Sequence, residues 1–399
     1  KMTPHLPARI HRPASEPHFH IVNAHLATPD AIIANGSLQV DQGKIAAIQT
    51  GPLEGGGPRI DAAGTLLIPG LVDLHSDANE KAIQPRPRAR FPVPLAMQEL
   101  DKVMAACGVT TVYHCVAFSN GQKGLRATQA ARALIHSIRE CREHLLCNTR
   151  IHMRYDITLV EALPLIGRLV DEGVVDLLSF MDHTPGQGQF ASYAAFRDYL
   201  GRHHQYTDAE VRAVVKKRLA DREAVNDGDL LELARRCRAR GIPLASHDDD
   251  TAEKVRQLAG MGITISEFPV TLEAARAARA AGMHVAMGAP NLLMGKSTNG
   301  NLTAKDALRE GLLDIVCSDY APMTLLHGAL MLARTQTMGL TEAVARFSLK
   351  PAEAAGIDGV TGSLTEGKRA DMVLVDATAP VPRVIGTFVA GRQVYGSGW

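Results

Sequence analysis

Short apolar runs that end abruptly in charge dominate the middle of the chain. The first is TLLIPGLVDLHSD over 65–77. GVTTVYHCVAF (108–118), TRIHMRYDIT (149–158), VVDLLSFMDH (174–183), IPLASHDDD (242–250), ITISEFPV (263–270), HVAMGAPN (284–291) and DIVCSDY (314–320) follow. Runs of this kind predict strands buried on both faces, as in a parallel sheet. Between several of them apolar residues recur at helical spacing, as in LRATQAARALIHSIRECREHL (125–145) and EAARAARAAG (273–282). Eight strands alternating with helices suffice to close a barrel, so the expected fold class is α/β, a TIM-like (β/α)8 barrel. Residues 191–240 break the rhythm with a long charged helical stretch, read as an insertion that forms a lid or an oligomer contact. The chain begins and ends differently. FHIVNAHL and ANGSLQVDQGKIAAIQ near the start, and GSLTEGKRADMVLVDA and PRVIGTFVAGRQVYG near the end, read as strands joined by Gly/Asn turns.

Length and charge narrow the picture. The 399 residues accommodate one barrel of roughly 250 residues and a smaller companion. Lys+Arg total 43 against 42 Asp+Glu, a net charge of +1 that argues against nucleic acid or a membrane surface as partner. Aromatic residues make up only 4%, which weakens a lectin or base-stacking reading. Cys107, Cys115, Cys141, Cys147, Cys237 and Cys317 form no CxxC pair, so reduced thiols and a cytoplasmic setting are expected. Residues 1–17 contain no apolar segment resembling a signal peptide. No run approaches the ~18 apolar residues of a membrane span.

The chemistry gathers at the C-terminal ends of the apolar runs, where a barrel carries its active site. His75 and Asp77 close the first strand at i and i+2, so both side chains reach toward one metal ion; the plain alternative is a polar strand end meeting solvent. In IHMRYDIT, Ile151, Met153 and Tyr155 take one face and His152, Arg154 and Asp156 the other. A row of His, Arg and Asp inside a barrel needs metal or charge partners. Asp156 is the candidate bridging ligand, Arg154 a carboxylate-orienting or substrate-binding group, and His152 a deeper core histidine. His183 and His247 stand at strand-to-loop junctions suited to metal ligation. Of Asp248, Asp249 and Asp250, one is expected to accept from a ligand imidazole and at least one to cap a helix. Asp319 ends the last strand, placed to bind metal and to take a proton from an activated water. His114 is a weaker pocket-lining candidate, and Glu267 fits either face of its strand. Two segments offer cations to an anion: KAIQPRPRAR, with Lys81, Arg86, Arg88 and Arg90, and GAPNLLMGKSTNGN, with Asn291 and Lys296. The alternative for the first is a solvated Pro-rich turn. GKS at 295–297 is no Walker A motif, because position 290 is proline.

PGLVDLHSD together with GSLTEGKRADMVLV resembles the amidohydrolase superfamily. HSDANEK, PRPRARFP, MDHTPGQGQF, ASHDDD, SEFPVTLEAA, GMHVAMGAPN and LLDIVCSDYAP are similar, more narrowly, to its diphosphatases that act on a ribosyl triphosphate in phosphonate metabolism. The resemblance implies a barrel over 68–349 and a β-sandwich composed of 1–67 and 350–399. It implies His75, Asp77, Asp156, His183, His247 and Asp319 as ligands of one or two divalent ions, Zn2+ first and Mn2+ or Fe2+ as alternatives. Asp319 would also shuttle the proton. The implied partner is a small, phosphorylated substrate, and the implied assembly a homo-oligomer. The implied reaction is hydrolysis of a phosphoanhydride with release of pyrophosphate; the competing reading is a metal-dependent amidase or deaminase. The chain departs from the pattern in three places. Asp156 stands where Glu is usual, and Gly188 and Met294 stand where Arg is expected. Losing two guanidiniums removes charged donors worth ~1.5–3 kcal/mol each to a phosphate.

Overall fold

The computed structural model describes residues 18–397 apart from 54, 87, 121–123, 189–193, 195, 198–206 and 298–299. The amino-terminal segment forms β1 (His18–Ala27), β2 (Ile32–Asp41), β3 (Lys44–Thr50), β4 (Arg59–Asp61) and β5 (Leu66–Pro69). The barrel strands are β6 (Leu71–Ser76), β7 (Val109–Phe118), β8 (Asn148–Asp156), β9 (Leu177–Met181), β10 (Leu244–His247), β11 (Ile265–Glu267), β12 (His284–Gly288) and β13 (Ile315–Cys317). They pair in parallel from β6 to β13 in chain order. The carboxyl-terminal strands β14 (Met372–Asp376), β15 (Arg383–Val389) and β16 (Arg392–Gly396) join the first group in a separate sheet, ordered β16-β15-β14-β5-β1-β2-β3. The two chain ends therefore share one sheet because β14 pairs antiparallel with β5. Its core is small and apolar, built on Phe19, Ile21, Leu38, Leu67, Met372 and Phe388.

The barrel interior is layered. Val72, Leu74, Tyr113, Leu177, Ala245, Ile265, Ala286 and Ile315 fill its lower half with apolar volume. This is the packed floor that burial on both strand faces demands. Above the floor the inward residues turn polar. The outward faces of the same strands, including Val112, Val116, Ile151, Met153 and Tyr155, pack under the helices in the main core.

Two helices span most of 208–239. Asp208–Glu223 begins with a capping box between Thr207 and Glu210 and buries only Val211 and Arg218. Asp227–Ala239 buries Leu230, Leu233, Ala234 and Cys237 in the main core and leads into β10. The second helix is therefore barrel wall, and the first lies over the strand ends, held by polar bonds from Arg218 to His183 and Asn120 and from Arg222 to Asp182. The apolar stripe of the second was hidden in the sequence by the charges on its other faces. The six cysteines are free thiols. Among the described residues, no helix is long and apolar enough to cross a membrane.

Candidate active site

The site is built where the barrel closes. β6 and β13 meet through a parallel bridge between Ser76 and Asp319. Asp319 donates its N–H to the His75 carbonyl at 2.9 Å, and Asp77 donates to the Asp319 carbonyl at 2.6 Å. The last strand pair is thus stitched by backbone bonds of His75, Asp77 and Asp319, whose side chains line the cavity. Three strand ends then turn through the left-handed region: Asp248 (φ 57°), Phe268 (φ 52°) and Asp319 (φ 54°). Such conformations cost ~1–3 kcal/mol each outside glycine and collect at functional sites. Each residue keeps its N–H on the adjacent strand, Asp248 on Glu267 and Phe268 on Ala286. The pairing holds the strained backbone in place.

Beneath the mouth, Glu267 gathers three imidazoles. Its Oε1 lies 3.2 Å from His75 Nδ1, and its Oε2 lies 3.6 Å from His247 Nδ1 and 3.7 Å from His152 Nε2. Burial would raise this carboxyl, but His75, by charge and hydrogen bond, and the hydrogen bond from His247 outweigh it and hold it well below the usual range. His152 is itself locked, with Nδ1 on the Leu74 carbonyl and Nε2 on Ser179 Oγ, both at 2.9 Å. Burial pushes its pKa down to about 3, so it stays neutral. Glu267 answers the question of its facing: it points inward.

Above this layer lie two groups of donor atoms. His75, Asp77 and Asp319 form one, and His183, His247 and Asp248 the other, with the atoms of each group within 4.8 Å of one another. All six line a cavity of about 300 Å3. Arg154 joins the groups. It donates to both Asp77 oxygens, at 3.0 and 3.2 Å, and to His247 Nε2 at 2.9 Å. Burial would lower its pKa, but Asp77 more than compensates, and the guanidinium stays charged. Burial raises the Asp319 carboxyl to about 6. Asp248 is held below its usual range despite burial, because His247 and His183 face it.

The remaining candidates go to different places. Asp156 points into the barrel, as the alternation in β8 predicts, but joins neither donor group. Its Oδ1 accepts from the Thr158 N–H and hydroxyl, and its Oδ2 lies 3.8 Å from His183 Nδ1, behind that ring. His114 does not line the cavity: on β7 the inward residues are Tyr113 and Cys115, so His114 faces the helices with Val112 and Val116. Lys81 and Arg86 are exposed and outside the cavity, because helix Ala78–Ile83 buries Ala78, Asn79 and Ile83 on its other side. Arg88 and Arg90 are exposed as well. Lys296 is exposed and also outside it, beyond a left-handed Gly295 that ends helix Ala289–Met294. Asn291 lines the cavity while its amide braces the loop, accepting from Ala304 N at 2.9 Å. None of the three aspartates after His247 caps a helix. Thr251 does, freeing Asp249 for the hydroxyls of Ser246 and Ser266 and Asp250 for the Gly188 N–H. The cavity cations that sequence reasoning missed are Arg126, paired with Glu80 through two bonds, and Arg218. No local signal marks either one, since each comes from a helical segment remote from the strand-end motifs.

The donor set fits a divalent metal. Asp77, Asp248 and Asp319 line the cavity, with Glu267 beneath it and Asp156 behind His183, and Arg154 is the cation between the two donor groups, a charge arrangement that burial makes costly without further positive charge. Asp248 Oδ2 is buried with no hydrogen-bond donor. His247 accepts from Arg154 at Nε2, which puts its ring proton on Nδ1 toward Glu267. That tautomer is the one an Nε2 ligand requires. Loading the site would require Arg154 to release Nε2 while keeping Asp77.

Known proteins share this architecture. The chain is 38% identical over 349 residues to alpha-D-ribose 1-methylphosphonate 5-triphosphate diphosphatase of Escherichia coli (strain K12), covering 86% of this chain and 91% of that protein. Its fold is similar to that of dihydropyrimidinase from Brevibacillus agri NCHU1002, with a TM-score of 0.66, 15% identity and 95% of each chain covered. N-acetylglucosamine-6-phosphate deacetylase from Pasteurella multocida has a TM-score of 0.62 and 14% identity, covering 94% of this chain and 99% of that one. At these identities the two structures speak to the fold alone. The amidohydrolase family profile matches residues 66–394, from the strand preceding the HSD motif to the last strand of the terminal sheet. With barrel, split sheet and profile in agreement, the chain belongs to the amidohydrolase family and is a hydrolase.

Proposed function

We propose that the chain hydrolyses a phosphoanhydride of a ribosyl triphosphate, releasing pyrophosphate and leaving a 5-phosphate, in a site loaded with a divalent ion. The observation that carries this reading is Arg218. It is nine-tenths buried, lines the cavity, and donates to the carbonyls of His183 (2.9 Å) and Asn120 (3.2 Å). Among the described residues it forms no ion pair within 4.0 Å, and Asp221 on the same helix acts on it only over a longer range, so a buried positive charge faces the site without a carboxylate in contact. A polyphosphate supplies that partner, and Arg126 adds a second guanidinium already half neutralised by Glu80. The named activity of the 38% identical relative points the same way.

His75, Asp77, His183, His247 and Asp319 are the residues that would hold one or two ions, with Zn2+ the first expectation. A bound ion would polarise a phosphoryl oxygen and acidify water. Glu267 fixes the imidazoles, and Arg154 holds the Asp77 carboxylate. Asp319, at the cavity wall, receives the proton as water oxygen bonds to the α-phosphorus. The bond from that phosphorus to the bridging oxygen breaks, and pyrophosphate leaves with the electron pair. Arg218 and Arg126 hold the leaving group.

Amide hydrolysis is the second reading, favoured by the absence of a cation at Gly188 and Met294, both beside the cavity. The test is a screen of Zn2+-, Mn2+- and Fe2+-reconstituted protein against ribosyl triphosphates, cyclic amides and aminopurines. Pyrophosphate, phosphate and ammonia are followed together. Pyrophosphate from a triphosphate supports the proposal; amide or amine cleavage with no pyrophosphate overturns it.

A further inference from the structure

The imidazoles sort the surrounding carboxylates into two sets. Glu267 faces the Nδ1 atoms of His75 and His247, and Asp156 Oδ2 faces Nδ1 of His183. These are the outer positions from which a carboxylate orients a ligand ring. Asp77 Oδ2 faces Nε2 of His75 at 4.0 Å, and Asp248 lies on the Nε2 side of two rings at once. Its Oδ2 is 3.7 Å from Nε2 of His183 and 3.7 Å from Nε2 of His247. Two ligand atoms on a tetrahedral zinc stand about 3.3–3.5 Å apart, so these three atoms surround a point that an ion can reach from all of them. The Asp248 side chain is about nine-tenths buried, and its Oδ2 has no donor. Its left-handed backbone is what turns the carboxylate from the strand end into the cavity. Asp156 is at least as deeply buried and its Oδ2 is likewise without a donor, but that oxygen faces Nδ1 of His183, its Oδ1 is tied to Thr158, and the residue does not line the cavity.

We infer that Asp248, and not Asp156, is the carboxylate ligand of the ion held by His183 and His247, while Asp156 orients His183 from behind. The inference rests on the reading that the site takes a divalent ion, and it is independent of the substrate. Asp156 is tied back by Thr158 and stops behind the ring, and Asp248 fills the ligand position that the strand pattern alone assigns to Asp156.

The test uses the full chain loaded with Co2+ and compares Asp248→Cys with Asp156→Cys, each as a difference spectrum against the parent protein. A thiolate in the coordination sphere gives a near-ultraviolet thiolate-to-cobalt charge-transfer band. The expected result is a band for Asp248→Cys and none for Asp156→Cys; the reverse overturns the inference. If neither variant gives a band, Zn2+ titration of Asp248→Asn decides, since Asn tolerates the left-handed backbone. Loss of one equivalent, or a fall in affinity beyond about 100-fold, sustains the assignment. Parent-like stoichiometry and affinity in Asp248→Asn reject it. Parent protein that takes up neither Co2+ nor Zn2+ removes the metal reading itself, a failure separate from either outcome. Pyrophosphate release bears on the proposed reaction and leaves this assignment untouched.

Discussion

Replacing Glu267 with Gln tests whether one buried carboxylate organises the site. The change is nearly isosteric and removes a charge that faces His75 Nδ1 at 3.2 Å, His247 Nδ1 at 3.6 Å and His152 Nε2 at 3.7 Å. With the carboxylate in place, His75 and His247 carry their protons on Nδ1 and turn Nε2 toward the cavity. A glutamine offers one carbonyl oxygen to the two rings, and its NH2 opposes the second ring proton. One imidazole is then free to change tautomer or rotate. Losing such an outer partner typically costs 10–100-fold in metal affinity, about 1.4–2.8 kcal/mol. Here one residue serves two rings, so the upper half of that range is expected. The assay is competition for Zn2+ against a chromophoric chelator, paired with thermal unfolding of metal-free and loaded protein. The metal-free melting temperature should change little, because the lost ion pairs are offset by relief of a buried charge. The increment gained on loading should shrink with the affinity. Parent-like Zn2+ affinity in Glu267→Gln would refute the reasoning.

Other expectations follow from the same geometry. Arg218→Ala should weaken inhibition by pyrophosphate by about 10–100-fold, the worth of one charged hydrogen-bond donor, and Arg126→Ala should weaken it less because Glu80 already shares that guanidinium; equal, negligible effects on the inhibition constant would remove the arginine wall. His114 is buried with its pKa pushed down to about 4, below the ~6.5 of an exposed imidazole, so the unfolded chain binds a proton that the folded one refuses. Its contribution to stability is present above pH 6.5 and declines as pH falls toward 4, by about 2 kcal/mol between pH 7 and 5; denaturant unfolding at both pH values should show His114→Leu losing that much less than the parent. Gly188 sits at φ 56° with its N–H on Asp250 Oδ2, and a Cβ there would lie 3.1 Å from the Asp248 carbonyl. Gly188→Ala should therefore destabilise the fold by about 1–2 kcal/mol in chemical denaturation, and a neutral result would show that the turn relaxes freely.

Much of the barrel was legible because strand periodicity is a local property. In β8 the two-residue alternation separates Ile151, Met153 and Tyr155 from His152, Arg154 and Asp156, and the structure keeps that division. Apolar runs ending in His75, His183, His247 and Asp319 place four cavity residues correctly, because a parallel barrel must bury its strands and expose their C-terminal ends. Periodicity does not state which of two faces is inward when both are apolar. That ambiguity misplaced His114 by one position, where Tyr113 and Cys115 point in. It also left Glu267 undecided. Exposed cations such as Lys81, Arg86 and Lys296 looked like ligand groups because charge near a motif does not reveal the side of a turn on which it falls.

The sequence by itself determined the eight-stranded barrel, the shared terminal sheet suggested by family resemblance, and the histidines and aspartates at the strand ends. It did so because burial and strand period act over a few neighbouring residues. The tertiary structure decided what each carboxylate does. Asp248, Asp249 and Asp250 are consecutive and chemically identical, yet one enters the cavity, one binds two serine hydroxyls and one holds a glycine N–H. Their division follows from a single left-handed residue at the end of β10 and from partners on β11 and beyond Asp182. Arg218 reaches the same cavity from a helix whose own sequence shows only a solvated charge pattern. Such roles depend on which distant atoms meet, and those meetings exist only once the barrel has closed.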